Sequence, residues 1–226
     1  MARKPSQKKK LDVKILLSAL IISAILFLSG IFIGYSINEQ NLGSIENNIQ
    51  SVTRTLENFQ LQFLFFDVLG ENATCPLLTE TLSEINKESY DIGSKLTITG
   101  SESEIKDYNE YITLKKEYSR LLVSYWLLSN KFNNVCEQNV DTVIYFFSKD
   151  CVTCDDQGFV LTYLKGKFDE KLLIFALDAD LDEPSLLVLK NYFNVTEFPT
   201  MIINNDKYEG FHSKDEIINI LTKGES

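Results

Sequence analysis

The sequence predicts an α/β domain at its C-terminal end, an all-helical region before it and a membrane-spanning helix near its start. Three observations carry this. Residues Ile15 to Tyr35 hold no charge and are mostly Ile, Leu, Ala and Phe. Between Leu42 and Phe132 apolar residues recur at steps of three and four, the period of helices with one buried stripe. From Val143 onward, short apolar runs alternate with helical patterns, and the first of these runs leads into Cys151-Val152-Thr153-Cys154.

The uncharged run is 21 residues long, and about 20 cross a bilayer core as a helix. Arg3, Lys4, Lys8, Lys9, Lys10 and Lys14 precede it, with only Asp12 opposing them. The positive-inside rule therefore predicts a single-pass protein with its N-terminus in the cytoplasm and everything after Tyr35 outside. A cleaved signal peptide is the rival reading, but the run is long for one and no Ala-x-Ala site follows it. Gly30 and Gly34 form a GxxxG spacing that permits close helix packing, hence a homodimer through the span.

The organisation that follows is a basic tail (1–14), the span (15–35), a helical region (36–137) and the α/β domain (138–226). Without the six bases and one acid of the first fourteen residues, 16 bases and 31 acids remain, a net charge of −15 against −10 for the whole chain. Such a surface stays soluble and argues against nucleic acid as a partner.

Three helical patterns fill the middle. The first runs Leu42, Ile45, Ile49, Val52, Leu56, Phe59, Phe63 and Phe66. The second is Leu78, Leu82, Ile85, Ile92 and Leu96, with Ser89 as its polar position, and the third is Tyr111, Leu114, Tyr118, Leu121, Tyr125, Leu128 and Phe132. Gly70 and Pro76 bracket the first break, and Gly100 and Ser101 mark the second. Each stripe needs a partner, so an antiparallel three-helix bundle is expected, with Tyr125 and Trp126 packing inside it. A coiled-coil dimer through the first helix is the alternative, although its Phe-rich end suits a two-stranded seam poorly.

Cys75 precedes the second helix and Cys136 follows the third, so antiparallel packing brings them together. A Cys75–Cys136 structural disulfide would staple that hairpin, and closing so long a loop contributes on the order of 4 kcal/mol. The alternative is a second redox pair relaying electrons to Cys151 and Cys154. Those two thiols, three residues apart at a helix start near Val152, can reach one another. The first faces unpaired backbone N–H groups and the positive end of the helix dipole, which stabilise a thiolate, the reactive form of cysteine.

The order from Val140 to Ser226 is strand, CxxC, helix, strand, helix, Pro-led strand, strand, helix. Asp178-Ala179-Asp180 follows the strand Leu172–Leu177, Asn191 to Val195 leads to Phe198-Pro199-Thr200, and Gly210 turns the chain into the last helix. In this the segment resembles a thioredoxin-like domain, over the last two-fifths of the chain. The resemblance implies a central mixed sheet flanked by helices, with Cys151 as the attacking cysteine, Cys154 as the resolving one and Pro199 as a cis-proline facing them. It also implies that Phe198 offers its backbone to a substrate, with Val152 and Thr153 beside it. The chain departs from the family in two places. Tyr145 stands where members often carry a buried acid that helps move the second cysteine's proton, and Asp150 stands where an aromatic is common. Asp150, Asp155 and Asp156 oppose a thiolate at Cys151 by like charge, and Lys149 pulls the other way.

The expected activity is a membrane-anchored, extracytoplasmic thiol–disulfide oxidoreductase needing no cofactor beyond the cysteine pair. Its partners would be client proteins with thiols or disulfides and a membrane redox partner. Oxidase, isomerase and reductase directions all stay open. A non-catalytic thioredoxin-fold binding module with a static Cys151–Cys154 bond is the alternative, and a coiled-coil scaffold a third reading. With His212 the one histidine and no close spacing in the second cysteine pair, no metal site is expected. Asn72-Ala73-Thr74 and Asn194-Val195-Thr196 fit the glycosylation pattern, but Asn194 is expected in a close-packed place.

Overall fold

The computed structural model describes residues 71–99 and 108–223, together with 23, 27, 47, 49–58, 61, 65 and 68. The chain divides into two units, Met1–Glu46 and Asn47–Ser226. The uncharged run lies outside the described residues apart from Ser23 and Phe27, both helical, and so do Gly30 and Gly34. Among the described residues no helix is long and apolar enough to cross a membrane.

The second unit opens with helical residues 49–58. Val52 is fully buried, and Ser51 Oγ donates to a Glu88 carboxylate oxygen on the next helix. Two 29-residue helices follow, α1 (Glu71–Thr99) and α2 (Tyr108–Cys136), packed side by side. The stripe of α1 is inside at Leu78, Ile85 and Ile92, and its polar member Ser89 is buried as well, donating to Asn86 O at 3.0 Å. Helix α1 starts before Pro76 rather than after it. The first four N–H groups of a helix need no partner, so a proline at the sixth residue costs a single hydrogen bond. At Gly93 a Cβ would lie 2.7 Å from Tyr118 Oη, so glycine lets α2 approach closely there.

Helix α2 carries more than the one stripe its sequence predicts. Tyr111, Leu114, Leu121 and Leu128 are buried, and so are Leu122, Val123 and Trp126. The reason is that α2 is sandwiched between α1 and the α/β domain. Tyr125 packs edge-on to Phe175 of the sheet, with centroids 5.1 Å apart, and Trp126 packs on Phe193 at 5.9 Å. These two aromatics therefore join the helical layer to the domain instead of filling a separate bundle.

The α/β domain runs β1 (Asp141–Phe147), α3 (Cys154–Phe168), β2 (Leu172–Asp178), α4 (Pro184–Tyr192), β3 (Thr200–Ile203), β4 (Asp206–Glu209) and α5 (Lys214–Lys223). The sheet order is β2-β1-β3-β4, with β1 parallel to β2 and the other two pairs antiparallel. Strand β1 is central and buried on both faces, hence its unbroken apolar run. Val143 and Tyr145 join Leu161 and Leu164 of α3 and Ile217 and Leu221 of α5 in one core. Ile144 and Phe146, paired with Phe175 and Leu177, turn to the other face by strand alternation, where α2 and α4 lie.

Local chemistry ends each element. Pro184 opens α4 behind Glu183, whose carboxylate accepts from Ser185 N. Asn204 and Asn205, both at positive φ, make the two-residue turn between β3 and β4. Ser213 and Glu216 form a reciprocal capping box at α5. Asn194, at φ 51°, is exposed rather than close-packed, because it sits on the turn after α4 while Val195 takes the buried place.

Candidate functional site

Strand β1 ends at Phe147, and the next three residues carry the chain to Cys151. Asp180 builds that loop. Its carboxylate accepts from Ser148 Oγ at 3.0 and 3.1 Å and from Lys149 N at 2.7 Å. Asp180 N in turn donates to Asp178 Oδ1 at 3.0 Å, and Lys115 Nζ from α2 donates to Asp178 Oδ2 at 2.7 Å. Cys151 N donates to Ser148 O at 3.2 Å, closing the turn. A continuous set of bonds thus runs from the helical layer to the first cysteine.

Helix α3 begins at Cys154, not at Val152. Val152 and Thr153 form a turn, and Thr153, at φ −105° and ψ 4°, lies outside the extended region from which a side chain caps a helix. Its carbonyl accepts from Gln157 N at 3.0 Å instead. Cys151 therefore precedes the helix, beside the unpaired N–H groups of the first turn, and Cys154 is the first helical residue.

The two cysteines are joined by a disulfide with Cα atoms 5.5 Å apart. Cys151 is half-exposed and Cys154 buried, while Val152 between them is 94 % exposed. The Tyr145 hydroxyl donates to Cys154 O at 2.6 Å. Burial, and then the charge of Asp155, push the Tyr145 phenol up to about 12. At neutral pH it is a neutral hydrogen-bond donor and no proton acceptor.

Phe198-Pro199 is a cis peptide, and Thr200 behind it is the first residue of β3, opposite Phe146. Because β3 runs antiparallel to β1, Pro199 and the cysteine loop leave the sheet at the same end. Phe198 is half-exposed, with Lys190 Nζ 5.5 Å from its ring centroid. Thr200 Oγ1 donates to Glu197 O at 2.6 Å across the turn. Gly210, at φ 79°, donates from its backbone to Pro199 O at 2.8 Å. Fully buried Gln157 of α3 accepts from His212 N at 2.8 Å and so ties this turn to the cysteine-bearing helix. His212 is half-buried against Tyr208.

A mixed four-stranded sheet in this order, helices on both faces, a disulfide where β1 passes into its helix and a cis-proline opening β3 at the same end decide the fold. Residues 141–223 have a thioredoxin-like fold. Helix α2 adds a layer to one face of it.

Solved structures similar to part of the chain belong to thioredoxin-like proteins. One is a malaria-parasite thioredoxin-2, described as a component of that parasite's protein secretion machinery. It is 27% identical over 41% of this chain and 90% of that one, with a TM-score of 0.34. Chloroplastic thioredoxin z is 20% identical over 43% and 88%, with a TM-score of 0.35. A thioredoxin-like protein from Clostridium perfringens is 21% identical over 40% and 75%, with a TM-score of 0.34. No family model and no curated protein matches the chain.

Cys75 and Cys136 form the second disulfide, with Cα atoms 5.7 Å apart and a sequence separation of 61. It joins the second turn of α1 to the last residue of α2, away from the thioredoxin-like disulfide in sequence and in element. Among the described residues no cysteine is free and no group of His, Cys, Asp or Glu has the arrangement of a metal site. Lys115, Asp178 and Asp180 were not legible as site residues. The Asp-x-Asp at a strand end was the available signal, and it reads equally well as an ordinary turn.

Proposed function

We propose that the protein is a thiol–disulfide oxidoreductase that exchanges disulfides with client proteins at Cys151 and Cys154. One observation carries this reading: a half-exposed cysteine and a buried one share a bond at the mouth of a helix. Cys151 is the more exposed of the two, so an incoming thiolate meets it first. A substrate thiolate attacks Cys151 Sγ, the Cys151–Cys154 bond breaks, and Cys154 leaves as a thiolate that takes up a proton. A second substrate thiolate then attacks the mixed disulfide on the substrate's own sulfur and expels Cys151. The substrate dithiol is oxidised by two electrons and the protein disulfide is reduced; the reverse sequence reduces a substrate. Pro199 and the Phe198 backbone, at the same end of the sheet, would meet the substrate strand, with Val152 and Thr153 beside them.

The reading includes a single-pass anchor at Ile15 to Tyr35 that puts the domain outside the cytoplasm, supported by the uncharged run and the bases before it. A membrane redox partner would restore the pair after each turnover. The Cys75–Cys136 bond is taken as structural.

A static bond is the second reading, and Tyr145 favours it, since the hydroxyl beside Cys154 offers no base. Two measurements separate them. Replacing Cys154 by Ser should trap client proteins on Cys151 in reductant-sensitive complexes, and replacing Cys151 by Ser should trap none. Equilibration of the pair in glutathione or dithiothreitol buffers should give a potential near about −120 to −180 mV for an oxidant or isomerase and near about −270 mV for a reductase. A bond that stays closed far below that range, with no trapped complexes, refutes exchange.

A further inference from the structure

The residues of the helical layer and those of the disulfide loop share one cavity. It has a volume of about 1110 Å³. Tyr108, Tyr111 and Ile112 from the first turns of α2 line one part of it; Cys151, Phe147 and Phe159 line another. Lys115, through its bond to Asp178, anchors the α2 wall to the strand end that holds the disulfide loop. This cavity lies on the side of Cys151 toward β2 and α2, and neither Phe198 nor Pro199 borders it.

Three properties define an occupant. First, Cys151 is half-exposed and lines the cavity, so an occupant that carries a thiol meets it there. Second, two large aromatics stand open to solvent at its edge, Tyr108 at 55 % and Phe159 at 74 %. Such surface is unfavourable in water and gains when an apolar or aromatic group covers it. Third, three carboxylates line it, Asp155, Asp178 and Asp180, against the two ammonium groups of Lys115 and Lys149, and Lys115 is already bound to Asp178. The local field repels anions and favours neutral or basic groups. The volume is at or above the range of roughly 300–1,000 Å³ typical of small-molecule sites. A short, acidic low-mass thiol matches neither the aromatic walls nor the charge.

We infer that this cavity is a docking groove for a polypeptide, a neutral or basic segment with an aromatic or large apolar residue beside the cysteine that meets Cys151. The inference rests on the exchange reading above and adds which client segment docks and where. Helix α2 then supplies one wall of the binding site as well as a layer of the fold.

The test uses the oxidised full-length protein and three reductants. Two are synthetic dithiol peptides of equal length, one with Phe and Lys next to a cysteine and one with Ser and Glu there; the third is dithiothreitol, and reduced glutathione is run beside them as a low-mass thiol. The rate of opening of Cys151–Cys154 is followed by thiol trapping and mass spectrometry. The Phe/Lys peptide should react faster than the Ser/Glu peptide, each normalised to dithiothreitol. Changing Tyr108→Ala together with Phe159→Ala, both exposed and so tolerable to the fold, should lower the normalised rate of the Phe/Lys peptide about tenfold. Tenfold is the loss of one well-covered aromatic contact. Equal normalised rates for the two peptides, or no change in the double variant, overturn the groove while exchange stands. A faster reaction with reduced glutathione than with either peptide assigns the cavity to a low-mass thiol and overturns it too. A bond that dithiothreitol itself leaves closed refutes exchange, and the groove with it.

Discussion

Replacing both Cys75 and Cys136 by alanine should destabilise the protein by about 4 kcal/mol. The bond spans 61 residues of sequence. In the chain-entropy model the cost of closing a loop in the unfolded chain grows with the logarithm of its length, and for this length it is about 4 kcal/mol at 25 °C. The bond acts on the unfolded chain, since α1 and α2 already pack along their lengths through Leu78, Ile85, Leu121 and Leu128. Equilibrium urea unfolding of the full chain, followed by circular dichroism with Cys151–Cys154 oxidised in both proteins, measures the difference. The denaturant slope should rise in the variant as well, because an unfolded chain without the cross-link exposes more surface. A loss below about 1 kcal/mol with an unchanged slope would refute the reasoning, since it would mean that the bond does not constrain the unfolded chain.

Three further outcomes follow from the packing and the charges. Phe175→Ala removes a fully buried ring and its edge-on contact with Tyr125, so it should cost about 3–5 kcal/mol. If α2 and the sheet form one cooperative structure, helical and near-ultraviolet signals should shift together in a single transition; two separated transitions would contradict it. Arg120→Met tests the bridge to Glu183, where Arg120 Nε lies 2.8 Å from a carboxylate that is almost fully buried. Burial alone would raise that carboxyl, but the Arg120 hydrogen bond and charge, with the Ser185 donors, outweigh it and hold it below the usual carboxylate range. A lowered carboxylate stabilises the fold above its unfolded value of about 4.3, and the contribution is lost as pH falls through the folded value. The variant should therefore be weaker by about 2 kcal/mol at pH 7, less than for a fully buried pair because Arg120 keeps solvent, and the gap should narrow below about pH 4. A gap independent of pH would count against the bridge. Asp180→Asn removes the negative charge that holds the loop entering Cys151. The Cys151 thiol should then ionise at lower pH and the potential of the pair should become less negative, both readable by thiol trapping; a shift in the opposite direction would show that loop order outweighs charge.

The linear sequence by itself determined the elements and the chemistry-bearing residues. Short apolar runs and period-3.6 patterns depend on local geometry alone, so β1, the two long helices and the order of the α/β elements were legible. So was the cysteine pair, because Cys-x-x-Cys is a local spacing. What the sequence left open was where α2 goes. Tyr125 and Trp126 read equally well as bundle core or as contacts to a sheet, since burial says nothing about the partner; only the folded chain put them on Phe175 and Phe193. The same holds for the loop before Cys151. Lys115, Asp178 and Asp180 lie far from one another or from the cysteines in sequence, and each alone is an ordinary polar residue. Their bonds exist because β1 and β2 run parallel, so that the end of one strand meets the loop leaving the other, with α2 across both. Local patterns set which residues form a helix, a strand or a disulfide turn. Long-range packing, which no short window of sequence contains, decided that the helical layer reaches the Cys151–Cys154 disulfide and shares a cavity with it.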